Sequence, residues 1–199
     1  MAIAEAGGEH VLVAEDEPDL ADLYAGWLAD SWEVTTAYDG SEAIDQLDES
    51  VDIVLLDRRM PGVSGDDVLE TIRERDLECR VAMVTAVEPD FDIVELGFDD
   101  YLVKPVSRED IQAVIEQLLL RRTYDDQIQE FFALAAKKAH LDRQKTEGER
   151  KASQEYAGLE DRLAVLRVEV KDTLSRLLED AEPRHLCQDI TRTAITDEI

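Results

Sequence analysis

The residues best equipped for chemistry stand where apolar runs stop. Ile53-Val54-Leu55-Leu56 reads as a strand buried on both faces, and it ends abruptly on Asp57. Arg58 and Arg59 follow, and Met60-Pro61-Gly62 then turns the chain. The run Val11–Ala14 ends on Glu15-Asp16, Val81–Val84 on Thr85, and Tyr101–Val103 on Lys104-Pro105. Brought together, three acids, one hydroxyl and one lysine form a site suited to phosphoryl chemistry. Carboxylates packed together repel, so a hard cation is expected among them. Mg²⁺ fits, because it takes a few carboxylate oxygens and keeps its waters. The expected ligands are Glu15 (directly or through water), Asp16, Asp57 and the backbone carbonyl of Arg59. Asp57 can attack a phosphoryl group as a carboxylate nucleophile, giving an acyl phosphate. Mg²⁺ and Lys104 would neutralise the phosphoryl oxygens, and Thr85 would donate its hydroxyl to one of them.

Such a site needs a frame that carries these strand ends to one edge. Five apolar runs, the four above and Val34–Ala37, alternate with amphipathic stretches. Leu20, Leu23, Tyr24, Trp27 and Leu28 keep helical spacing, with Pro18 in the first turn. Ser41 is placed to cap a second helix carrying Ala43, Ile44 and Leu47. Ser64 with Asp67 is a capping-box variant ahead of Val68, Leu69 and Ile72, and Ser107 with Asp110 repeats it ahead of Ile111, Val114, Ile115 and Leu118. The alternation predicts an α/β domain: a five-stranded, doubly wound parallel sheet of flavodoxin-like type. In such sheets the loops after the first, third, fourth and fifth strands converge at the carboxyl edge.

Charge divides the chain. The 199 residues carry 21 basic and 48 acidic side chains, net −27. Residues 1–121 hold 8 basic and 31 acidic residues, net −23; residues 122–199 hold 13 and 17, net −4. The shift sets the expected domains at 9–121 and 122–199. An acidic excess of this size, with lysine scarce beside arginine, fits a cytoplasm of molar salt, where self-repulsion is screened. No apolar run approaches the ~20 residues that span a bilayer. The opening Met-Ala-Ile-Ala-Glu-Ala-Gly-Gly-Glu lacks the basic region of a signal peptide, and Cys79 and Cys187 suggest no disulfide framework. A cytoplasmic protein without membrane contact is expected.

Other uses of a strand-end aspartate fare worse. Haloacid-dehalogenase-like phosphatases need a second acid two residues later, where this chain has Arg59. A P-loop hydrolase needs a glycine-rich Gly-Lys-Ser/Thr loop, which the sequence lacks. No turnover enzyme is expected beyond self-dephosphorylation.

Glu15-Asp16, Asp57, Thr85-Ala86 and Lys104-Pro105, in this order, resemble the signature of response-regulator receiver domains of two-component signalling. The resemblance covers about residues 9–121. It implies that Asp57 takes a phosphoryl group from the phosphohistidine of a sensor histidine kinase. It also implies a switch in which the Thr85 hydroxyl moves inward and an aromatic on the fifth strand, here Tyr101, follows; small Ala86 leaves access to the phosphoryl group. Three features depart from the family, the mildest being Glu15, which stands in the acidic pair where aspartate is more common. The stretch from Thr85 to Lys104 is short at the expense of the fourth helix, around 90–96, and basic Arg58 and Arg59 follow the nucleophile, where they can control water access.

The tail reads as helical. Tyr124, Ile128, Phe131, Phe132 and Ala135 suggest a helix capped by Thr123, with Gly148 and its polar neighbours breaking it. Tyr156, Leu159, Leu163, Leu166, Val170, Thr173 and Leu177 then form a heptad stripe, ended by Pro183. The stripe fits either a helical hairpin or a coiled coil between two copies, a homodimer. Residues 184–199 show only weak periodicity. Residues 137–151 carry six basic and three acidic side chains, the one locally positive stretch, yet no helix-turn-helix pattern is visible. The tail is similar to the HalX domain that follows receivers in haloarchaea, a family described as regulatory. Two outputs are therefore expected to compete: transcription control, with DNA met through this domain, and a protein-binding adaptor or kinase modulator without DNA contact.

Overall fold

The computed structural model describes residues 8–89 and 96–180. The strands are β1 (His10–Ala14), β2 (Glu33–Ala37), β3 (Ile53–Leu56), β4 (Arg80–Thr85) and β5 (Asp100–Val103). The helices are α1 (Pro18–Leu28), α2 (Gly40–Gln46), α3 (Gly65–Glu74), α4 (Arg108–Gln144), α5 (Glu147–Ala152) and α6 (Gln154–Asp180). All strand pairs are parallel, in the order β2-β1-β3-β4-β5. This is the expected doubly wound sheet. β3 lies at its centre, and all four of its residues are buried. Successive side chains of a strand point to opposite faces, so a strand covered on both must be apolar throughout. Leu12, Val54, Leu56, Val81 and Met83 meet Val68, Leu69 and Ile72 of α3 on one face. Each such aliphatic side chain removed from water contributes about 2 kcal/mol.

The helix starts follow local chemistry. Ser64 and Asp67 form a full capping box at α3, and Ser107 and Asp110 exchange the same pair of bonds ahead of α4. At α2 the cap is Asp39, whose carboxylate accepts the Glu42 N–H at 2.8 Å, and Ser41 lies inside the helix. The expected cap sat two residues too late because the helix begins at Gly40. Gly40 has a packing reason: a Cβ there would lie 2.2 Å from the Val63 carbonyl oxygen.

The chain forms two compact units, divided between Leu118 and Leu119. In the second unit Thr123 caps nothing. It lies within α4, and its hydroxyl donates to the Leu119 carbonyl at 2.9 Å. Between 108 and 144 there is no glycine or proline, and a change of charge alone does not stop a helix. The break comes at Lys145-Thr146, where Thr146 and Glu149 build a capping box; Gly148 sits inside α5. α6 then folds back as a hairpin. Leu166 is fully buried, Thr173 donates to Gln127 at 2.9 Å, and Arg162 forks onto Glu130 at 2.8 and 2.6 Å. Near the turn, Asp142 accepts from Tyr156, Arg150 and Lys138 at 2.6, 2.6 and 3.0 Å. Tyr156 first, then Lys138, pulls the Asp142 carboxyl down to about 2. The heptad stripe therefore serves the hairpin. The expected short fourth receiver helix around 90–96 falls, but for Leu96, outside the described residues, as do Pro183 and the weakly periodic 184–199.

Candidate functional site

Backbone hydrogen bonds place the chemistry before side chains do. Glu15 N–H donates to the Ala37 carbonyl at 3.0 Å, Asp57 N–H to Ala14 at 2.9 Å, and Lys104 N–H to Thr85 at 2.8 Å. Each of these residues is the first beyond its strand, pinned by one bond that prolongs the parallel ladder. The carboxyl edge of the sheet therefore carries them without help from flexible loops.

Their side chains converge. The Lys104 ammonium donates to Asp57 Oδ2 at 2.6 Å and to both Glu15 oxygens at 2.8 and 2.6 Å. Glu15, Asp16 and Asp57 each offer one oxygen, all within 4.8 Å of one another. Glu15 and Asp57 are buried and Asp16 half-buried. Burial pushes the Glu15 carboxyl above its ordinary 4.5, a rise that the Lys104 hydrogen bond opposes. Burial disfavours the Lys104 ammonium, but its hydrogen bonds to Asp57 and Glu15 outweigh that and hold it above the ordinary 10.5. Three carboxylates against one ammonium leave formal negative charge for a cation to meet. An all-oxygen donor set of this kind suits a hard divalent ion.

Arg59, expected to lend its carbonyl, lies against Asp57: its N–H donates to Asp57 Oδ1 at 3.0 Å. The loop from Asp57 to α3 is tight. A Cβ on Gly65 would stand 2.1 Å from the Asp57 carbonyl oxygen, and Gly62 takes φ +82°, the left-handed region open to glycine.

Thr85 and Tyr101 meet through one residue. The fully buried Thr85 hydroxyl accepts the Val87 N–H at 3.4 Å, and the Tyr101 hydroxyl donates to the Val87 carbonyl at 2.7 Å. The Tyr101 ring also packs on Phe98, centroids 5.5 Å apart.

Some participants escaped the sequence reading. Val87 does so because it acts through its backbone. Tyr24 looked like one more apolar position of α1, yet burial pushes its hydroxyl up to about 12, and Lys104, Glu15 and Asp57 all act on its charge. The third is a pair: Arg58 Nε lies 3.1 Å from both oxygens of Asp66. Opposite charges eight residues apart across a turn were the available signal.

The geometry can be set beside known proteins. The response regulator receiver domain family matches residues 11–116, and the HalX domain family matches residues 120–186. A Haloferax volcanii protein, provisionally described as a transcriptional regulator, is 46% identical over 190 residues, covering 93% of this chain and 32% of its own. The sensory transduction protein RegX3 of Mycobacterium tuberculosis is 43% identical over 121 residues, 58% of this chain and 53% of its own. The chain thus spans about a third to a half of these relatives. The crystal structure of a signal receiver domain from Vibrio parahaemolyticus superposes with a TM-score of 0.55 at 26% identity, covering 60% of this chain and 96% of that one. Among the described residues no helix is long and apolar enough to cross a membrane.

Proposed function

Since the chain belongs to the response regulator receiver family and carries a HalX domain behind the receiver, we propose that it is a phosphorylation switch loaded at Asp57 by a sensor histidine kinase. The observation that carries this reading is the single ammonium of Lys104 bridging Asp57 and Glu15 at 2.6–2.8 Å. Lys104 holds the Asp57 carboxylate in place. An Asp57 oxygen attacks phosphorus as the bond from phosphorus to the kinase's histidine nitrogen breaks, leaving an acyl phosphate and a free imidazole. Lys104 then shares its protons with the new phosphoryl oxygens. The Thr85 hydroxyl leaves Val87 to donate to another of them, and Tyr101, held by the same Val87, shifts with it. Glu15, Asp16, Asp57 and the Arg59 carbonyl would hold Mg²⁺, which supplies positive charge beside the phosphoryl group when bound. The chain turns over no substrate beyond its own dephosphorylation.

The output is transcription control through the HalX hairpin, the reading that the Haloferax volcanii relative supports. One observation favours the second reading, a protein-binding adaptor. In the basic stretch 137–151, Lys138, Lys145, Arg150 and Lys151 are each paired with an acid of the hairpin, which leaves less positive charge for phosphates. Pairing of two copies would have to use a surface other than the α6 stripe, whose Leu166 and Thr173 are buried inside the hairpin.

The test is DNA recovery by crosslinking in the native cell, comparing the wild type with Asp57→Asn. Discrete sites that change with the substitution support a phosphorylation-dependent transcription regulator. Absence of enrichment in both folded proteins overturns it in favour of the adaptor.

A further inference from the structure

The turn between β3 and α3 holds a feature that phosphotransfer alone does not call for. Arg58, directly after Asp57, forks through Nε onto both oxygens of Asp66, each at 3.1 Å. Its side chain is 13% exposed and that of Asp66 38%. Asp66 lies in the first turn of α3, where the helix dipole also favours a carboxylate. The main chain closes the same span: Gly65 N–H donates to the Arg58 carbonyl at 3.0 Å. Both the backbone and the side chain of Arg58 are therefore tied to the start of α3. The same peptide plane carries Arg59 N–H onto Asp57 Oδ1, and the Arg59 carbonyl opens the plane that follows.

We infer that Arg58 and Asp66 are positioning residues, a brace that fixes the turn so that the Arg59 carbonyl is presented to the metal, and thereby sets Mg²⁺ affinity. The inference rests on the Mg²⁺ reading above. An ion pair with one partner this exposed adds little to global stability. Its consequence is local: it removes freedom from the segment that must offer one uncharged ligand beside three carboxylates. Loss of a group that orients a metal ligand typically lowers metal affinity by about 10–100-fold.

Charge and position make opposite predictions here. If the two residues acted on the cation only through their charge, Arg58→Ala would tighten Mg²⁺ binding and Asp66→Asn would weaken it. If they act as a brace, both substitutions weaken it. Mg²⁺ binding to the full chain is measured by isothermal titration calorimetry in molar KCl, with thermal unfolding in EDTA as the fold control. The expected result is a Kd raised about tenfold in each single variant, with the double variant no weaker than either single. A Kd that is unchanged or tighter in Arg58→Ala overturns the inference, as does full additivity in the double variant. Should Arg58→Ala fail to fold, Arg58→Gln and Asp66→Asn carry the same comparison. Failure of the underlying reading looks different: wild type and Asp57→Asn would bind Mg²⁺ equally, or neither would bind it.

Discussion

The two units of this chain are held together in different ways. In the first, apolar strands β1, β3 and β4 are buried along nearly their whole length, and among the described residues the buried polar side chains, Glu15, Asp57 and Thr85, stand at the carboxyl edge. In the second, only Leu120, Leu166 and Thr173 are buried among the described residues, while Phe132 and Leu178 stay 64% and 65% exposed. The hairpin relies instead on side-chain pairs between helices, such as Arg162 with Glu130 and the Asp142 cluster. Exposed pairs contribute little each. A stiff frame suits a site whose atoms must stay within fractions of an ångström. A lightly buried hairpin suits an output that must change its contacts for a modest input of free energy.

Core truncation should expose the contrast most strongly. Ile53→Ala should lower stability by about 4 kcal/mol in denaturant titration, and Leu166→Ala by only about 2, because the half-exposed neighbours of Leu166 can collapse onto the gap. Equal losses would break the comparison. Next in size is Gly65→Ala, whose new methyl meets the Asp57 carbonyl oxygen. It should destabilise by about 3 kcal/mol and abolish phosphorylation, whereas Gly148→Ala, with open space around it, should leave the hairpin's circular dichroism unchanged.

A smaller effect of opposite sign belongs to the acidic edge. Asp16→Asn removes one of three crowded carboxylates, so in EDTA it should raise stability by about 1 kcal/mol, and it should show none of the Mg²⁺-dependent rise in Tm expected of the wild type. The smallest effect is set by pH. Lys104 sits above its ordinary 10.5 in the folded state. Its contribution is therefore complete below that value and is lost as pH rises through the folded value. Urea midpoints should fall more steeply with alkaline pH in the wild type than in Lys104→Met. Parallel curves would show that the ion pair contributes nothing to stability.

The same contrast explains how much could be read in the sequence. The first unit announces itself because burial forces type upon position. Ile53–Leu56 can be little else than a central strand, and an acid directly after it must lie at the sheet edge. The Ser64–Asp67 and Ser107–Asp110 boxes were legible because capping is local. The hairpin obeys weaker rules. Thr123 has the features of a cap, yet its hydroxyl is satisfied equally well by the Leu119 carbonyl inside a continuing helix. Gly148 looks like a breaker, but Thr146 with Glu149 decides where a new helix starts. At the site, what the sequence concealed acts through space or through backbone: Val87 between Thr85 and Tyr101, and Arg58 across a turn from Asp66.

If Asp57 and no other residue takes the phosphoryl group, chemical trapping will mark that position alone. An acyl phosphate is reduced by borohydride to an alcohol, which marks the residue permanently. The full chain would be phosphorylated by a phosphohistidine kinase with Mg²⁺, reduced, digested and mapped by mass spectrometry. Homoserine is expected at position 57 in the wild type, with no reduced residue anywhere in Asp57→Asn. Reduction at Asp16, or labelling that persists in Asp57→Asn, would contradict that assignment.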